Sequence, residues 1–159
     1  IRTVGWGQGN NATGSDNAKY KTVGQLYLGV YDEQSKVPNY GIEFKSRPRE
    51  ISFYYKYQPV DNDKFIAEVI LLNVTNGMET ELAKGTISIG GTIDKYISAR
   101  IVLNYTNMVL KVSKICVIFK AGTETKCTTV PKFGDLSDGE YVGSQLYIDD
   151  VELIYDYQE

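Results

Sequence analysis

Tyr54 and Lys56 fall on one side of the alternating segment 51–57, whose other side carries Phe53, Tyr55 and Tyr57. Glu68 and Arg100 are lone charges in the apolar runs 65–72 and 96–105. A charge in mid-strand is costly to bury unpaired, so each of them faces solvent or has a partner. If these segments share a sheet, Tyr54, Lys56, Glu68 and Arg100 line one open face. An aromatic plane would then take the apolar side of a pyranose, and the charged groups its hydroxyls. The same residues also read as a cross-strand ion pair on a solvated face. Trp6 is the single tryptophan, set among Gly5, Gly7 and Gly9. It reads either as an exposed stacking platform or as a plug at the end of the core. The glycines around it open no helix and form no phosphate loop.

Glycoside hydrolysis would need two carboxyl groups about 5 to 9 Å apart across the sugar bond. Glu43, Glu68, Asp149 and Glu152 are the candidates, Glu68 foremost as the acid, but no spacing pairs any two of them. The 159 residues contain no histidine. That excludes a Ser-His-Asp triad, a Cys–His pair and a histidine metal site. Cys116 and Cys127 cannot make a zinc site alone. They read as small buried fillers, or as a disulfide in an exported protein. A net charge of −3 is a poor electrostatic footprint for nucleic acid. The longest apolar runs, 69–72 and 115–119, fall far short of the roughly 20 residues of a membrane helix.

The elements that would position these groups are strands. Apolar–polar alternation recurs in 51–57, 96–105, 115–119 and 145–155, with shorter strands expected at 3–7, 23–31 and 82–89. Segment 65–72 is apolar at almost every position, as in a central strand buried on both sides. Asn76-Gly77 predicts a two-residue hairpin turn, because both positions tolerate positive φ. No window carries a helical stripe. Eight or nine strands without a helix predict one all-β domain over residues 1–159, a β-sandwich or jelly roll. Asp149 and Asp150 interrupt the last strand and predict a bulge there.

Gly41-Ile42-Glu43-Phe44-Lys45-Ser46-Arg47-Pro48, running into Ile51-Ser52-Phe53-Tyr54-Tyr55-Lys56-Tyr57, resembles the "putative carbohydrate metabolism domain" family. So do Gln25 to Gly29, Ile115 to Phe119 and the closing Gly143 to Tyr155. The resemblance implies a jelly roll like that of galactose-binding domains and carbohydrate-binding modules. It also implies an exported protein of glycan-degrading gut bacteria, at the cell surface or in the periplasm. This domain would follow a smaller N-terminal sandwich domain. In similar jelly rolls an aspartate at the position of Asp150 helps hold a structural calcium, as carboxylate chemistry allows. No other cofactor is expected. Family members commonly have serine or threonine where this chain has Cys127. The resulting expectation is a monomeric glycan-binding module that neither cleaves its ligand nor inserts in a membrane. A glycoside hydrolase using sheet carboxylates and a structural or adhesion module are the alternatives.

Overall fold

The computed structural model describes residues 1–8, 18–127 and 140–155, with the backbone alone for 6–8, 18–20 and 140. Among the described residues the chain forms thirteen strands and no helix. They are β1 (Arg2–Gln8), β2 (Ala18–Thr22), β3 (Gln25–Tyr27), β4 (Gly29–Asp32), β5 (Val37–Tyr40), β6 (Ile42–Glu43) and β7 (Glu50–Gln58). Then follow β8 (Lys64–Thr75), β9 (Met78–Gly90), β10 (Ile93–Val102), β11 (Asn104–Tyr105), β12 (Lys114–Lys120) and β13 (Glu140–Ile154). One sheet runs β10-β7-β13-β1-β2; a second runs β11-β9-β8-β12-β3, with β6 also paired to β12. β4 and β5 form a separate hairpin.

The two sheets pack face to face because their central strands alternate with period two. In β7, Ile51, Phe53, Tyr55 and Tyr57 are buried; in β8, Phe65, Ala67, Val69 and Leu71 are buried opposite them. Aromatic rings lock the rows together. Phe53 meets Phe119 edge-on at 5.1 Å, and Phe65 sits 4.9 Å from Tyr55 and 5.2 Å from Tyr57. Such pairs add about 0.5–1.5 kcal/mol each beyond area burial.

The all-β sandwich expected from the sequence is the fold observed. The number of strands is higher for two physical reasons. Gly29, at φ 146°, breaks the expected strand 23–31 into β3 and β4. Segment 96–105 keeps its alternation, with Ile101 and Leu103 buried and Arg100, Val102 and Asn104 exposed, but changes sheet at Leu103. Its first part pairs with β7 and its last two residues pair with β9. The predicted hairpin at Asn76-Gly77 is present, with φ of 53° and 77°.

Asp63 pins the end of the sandwich. Its buried carboxylate accepts hydrogen bonds from the backbone N–H of Lys64 and Thr123, each at 2.8 Å. It also accepts the hydroxyls of Thr123 at 2.8 Å and Ser144 at 2.7 Å. The donors come from β8, the segment just after β12, and β13, so both sheets meet at one carboxylate. Cys116 and Cys127 are both buried and unbridged.

Candidate functional site

The outward side chains of the β7 sheet gather three of the expected site residues. Tyr54 and Lys56 project from β7, and Arg100 lies opposite Ser52 on β10. Two further tyrosines complete this face. Tyr96 from β10 and Tyr147 from β13 flank the Lys56 ammonium, which lies 4.7 Å from one ring centroid and 4.8 Å from the other. Cation–π attraction of this kind is worth about 0.5–1 kcal/mol per ring at exposed sites. Among the described residues Lys56 has no carboxylate partner. Tyr54, Tyr96 and Tyr147 are 46%, 45% and 38% exposed, unusually open for rings on three neighbouring strands. Tyr54 has no ring or hydrogen-bond partner among the described residues, so its face is free. Beside Tyr147 lies a depression of about 360 Å3 edged by Ile1, Arg2 and Gln145. The Tyr147 hydroxyl and Gln145 Oε1 are 3.3 Å apart, which sets the ring's orientation.

Arg100 is on the face but differently employed. Its guanidinium is 3.3 Å from Glu50 Oε1, which Arg49 also approaches at 3.2 Å. The Glu50 side chain is only 7% exposed, so a nearly buried carboxylate is neutralised by two arginines. The cross-strand ion pair therefore describes Arg100 better than a free donor does.

Glu68 is not on this face. It belongs to β8 in the other sheet and points to that sheet's outer side. The physical reason is that alternation fixes which side of its own strand a residue takes, not which sheet the strand joins. Glu68 Oε2 binds Lys84 Nζ at 2.7 Å and accepts the Thr86 hydroxyl at 3.2 Å. Glu79 is likewise paired to Lys114 Nζ at 2.7 Å. Both carboxylates line a groove of about 430 Å3 that runs beneath the β4–β5 hairpin past Tyr40. The hairpin returns close over β12 at Gly41, where φ is 96° and a Cβ would press on Cys116 Sγ at 2.7 Å. Desolvation in that cover pushes the Cys116 thiol pKa up, away from the reactive thiolate.

Trp6 lies in β1, where its backbone pairs with Tyr20 and Glu140; its side chain is outside the described residues. Asp150 forms the expected bulge. It adopts φ 48°, and its N–H donates to Asp149 Oδ1 at 2.9 Å. Among the described residues no three acidic or thiol groups come together to hold a metal ion. Asp149 and Asp150 alone would supply little of the about six to eight oxygens calcium takes.

Sequence reasoning missed Tyr96 and Tyr147. The signal was present: Tyr96 has the parity of Arg100, and Tyr147 that of Asp149, on the outward side of recognised strands.

No protein-family model matches this chain, and no curated protein matches it. Two solved structures share its fold. A "putative glycoside hydrolase" from Bacteroides thetaiotaomicron superposes with a TM-score of 0.65 at 18% identity, over 87% of this chain and 48% of that one. A second, from Bacteroides vulgatus, superposes with a TM-score of 0.64 at 16% identity, over 84% of this chain and 65% of the other. The chain thus spans about half to two-thirds of the length of these structures.

Proposed function

We propose that this domain binds a glycan on the outward face of the β7 sheet and does not cleave it. The carrying observation is the band of three exposed tyrosines, Tyr96, Tyr54 and Tyr147, arranged about one lysine that has no acidic partner among the described residues. Pyranose rings present an apolar side to such rings and hydroxyls to a nearby ammonium. Arg2 and Gln145, at the adjoining depression, add donors where a longer chain of sugars would continue. The two similar structures are named as glycoside hydrolases, which supports a carbohydrate setting. The family resemblance supports an exported protein with a smaller sandwich domain on the N-terminal side of this one, and we propose that it is a monomer.

Cleavage is the second reading, favoured by one observation: Glu68, Glu79 and Glu81 share the groove on the opposite sheet. Two of the three are held by lysines at 2.7 Å, an arrangement that serves the sheet.

The test is retention and cleavage of a panel of labelled polysaccharides by the wild type and by Tyr54→Ala, Lys56→Ala and Glu68→Ala. A hydrogen bond to a charged group contributes about 1.5–3 kcal/mol, so Lys56→Ala should weaken binding roughly ten- to a hundredfold. Glu68→Ala should bind as the wild type does. Release of reducing ends that Glu68→Ala abolishes would overturn the binding reading in favour of hydrolysis.

A further inference from the structure

β1 covers one edge of β13 only along its first part. Their ladder ends where Ile1 and Leu146 exchange two bonds, Ile1 N to Leu146 O at 2.7 Å and Leu146 N to Ile1 O at 2.8 Å. Beyond Leu146 no described strand lies on that side of β13. The far side stays paired with β7 to Ile154, whose carbonyl accepts the Arg49 N–H at 2.7 Å. In an antiparallel ladder successive residues direct their backbone groups to alternate edges. The open edge therefore belongs to Ile148 and, past the bulge, to Leu153.

Under this edge the two sheets part. A cleft of about 300 Å3 opens between β13 and the β3–β12–β6 side of the other sheet, and every residue lining it but Tyr27 is apolar. Leu26, Leu28, Ile42 and Val151 stand at it with 39–50% of their surface exposed. The outer rim is acidic instead: Asp149, Asp150 and Glu152 are all exposed on the same stretch.

We propose that this edge and cleft accept an extended peptide segment as an added strand, in line with β1, whose side chains alternate apolar and basic. The apolar residues would enter the cleft, and the basic ones would face the three carboxylates. Main-chain bonds supply affinity in such strand addition and alternate side-chain pockets supply specificity. β1 already shows the pattern at its head, with Ile1 packed against the core and Arg2 on the outer face beside Tyr147. A second copy of this chain is disfavoured as occupant, because it would bring an equally acidic edge to a strand bent by the Asp150 bulge.

The probe is a capped eight-residue peptide alternating lysine and isoleucine, titrated into the 159-residue chain. The controls are the same residues in block order and an alternating glutamate–isoleucine peptide. Saturable binding should favour the alternating basic peptide at least tenfold over both controls. It should slow amide exchange at Ile148 and Leu153, and should fall about tenfold in Leu28→Lys and Val151→Lys at unchanged melting temperature. Absence of binding up to about a millimolar would overturn the proposal. So would equal binding of the block peptide, or undiminished binding by both folded variants.

Discussion

On the outer face of the β8 sheet, Glu68 is matched to Lys84 and Glu79 to Lys114, and a hairpin lies over the groove they line. On the outer face of the β7 sheet, Lys56 lies between two tyrosine rings and the third ring, Tyr54, is uncovered. Both faces are built from long alternating strands that carry charged residues. They differ in where the opposite charges were placed. Where acid and base stand on neighbouring strands they satisfy each other, and the face becomes scaffold. Where the cation meets only rings, its hydrogen-bonding capacity is left for something outside the protein.

The comparison presupposes two sheets held back to back, and Asp63 is where that can be broken. Asp63→Ala removes four hydrogen bonds to a buried carboxylate and leaves Ser144 and Thr123 without their acceptor. A loss of about 3 kcal/mol or more is expected, lowering the melting temperature by roughly 6–12 °C for a chain of this size. Acid should reproduce the effect. Burial alone would raise the Asp63 pKa, but the bonds from Ser144, Thr123 and Lys64 outweigh it and hold the pKa below 3.8. The folded state therefore binds this proton less readily than the unfolded one. Its stabilisation is complete above the unfolded value and is lost as pH falls through the lowered one. Denaturant midpoints measured from pH 6 down to pH 2 should fall more steeply in the wild type than in Asp63→Ala; parallel curves would remove Asp63 from this role.

The next largest effect separates the faces by ligand. Tyr54→Ala and Tyr147→Ala should each cost glycan affinity several-fold or more, through lost stacking area, while the fold is retained because both rings are exposed. If Lys84→Ala weakens binding as strongly as Tyr54→Ala does, the distinction between scaffold and binding face fails. The smallest effect concerns the scaffold itself. Lys84 and Glu68 are partly exposed, so Lys84→Ala should change stability by only about 0–1 kcal/mol, and added salt should shrink the difference further.

Much of this was legible in the residues. Period-two alternation placed Tyr54, Lys56 and Arg100 outward and Phe53, Tyr55 and Tyr57 inward, and Asn76-Gly77 fixed one hairpin. Sheet membership was not legible. Glu68 obeys its alternation and still lands on the far face, since strand order depends on long-range pairing that no local pattern encodes. The choice between the two readings of Arg100 was not legible for a related reason. Its partner Glu50 sits at the start of β7, fifty residues away in sequence, and only the register of β10 on β7 brings them together.

The change of sheet at Leu103 gives the sandwich two unlike sides. On one, a continuous chain passes between the layers and is fastened: the Leu103 N–H donates to Arg49 O at 3.0 Å, and the Tyr105 hydroxyl to Pro48 O at 2.7 Å. On the other, the chain crosses again from β2 to β3, and the layers diverge around an apolar gap beside the end of β13. Both sides are therefore tied by the chain, and they differ in packing, so fluctuations should be largest at the gap. Native-state hydrogen exchange would show amides of β3 and the end of β13 opening at lower free energy than those around Leu103 and Tyr105.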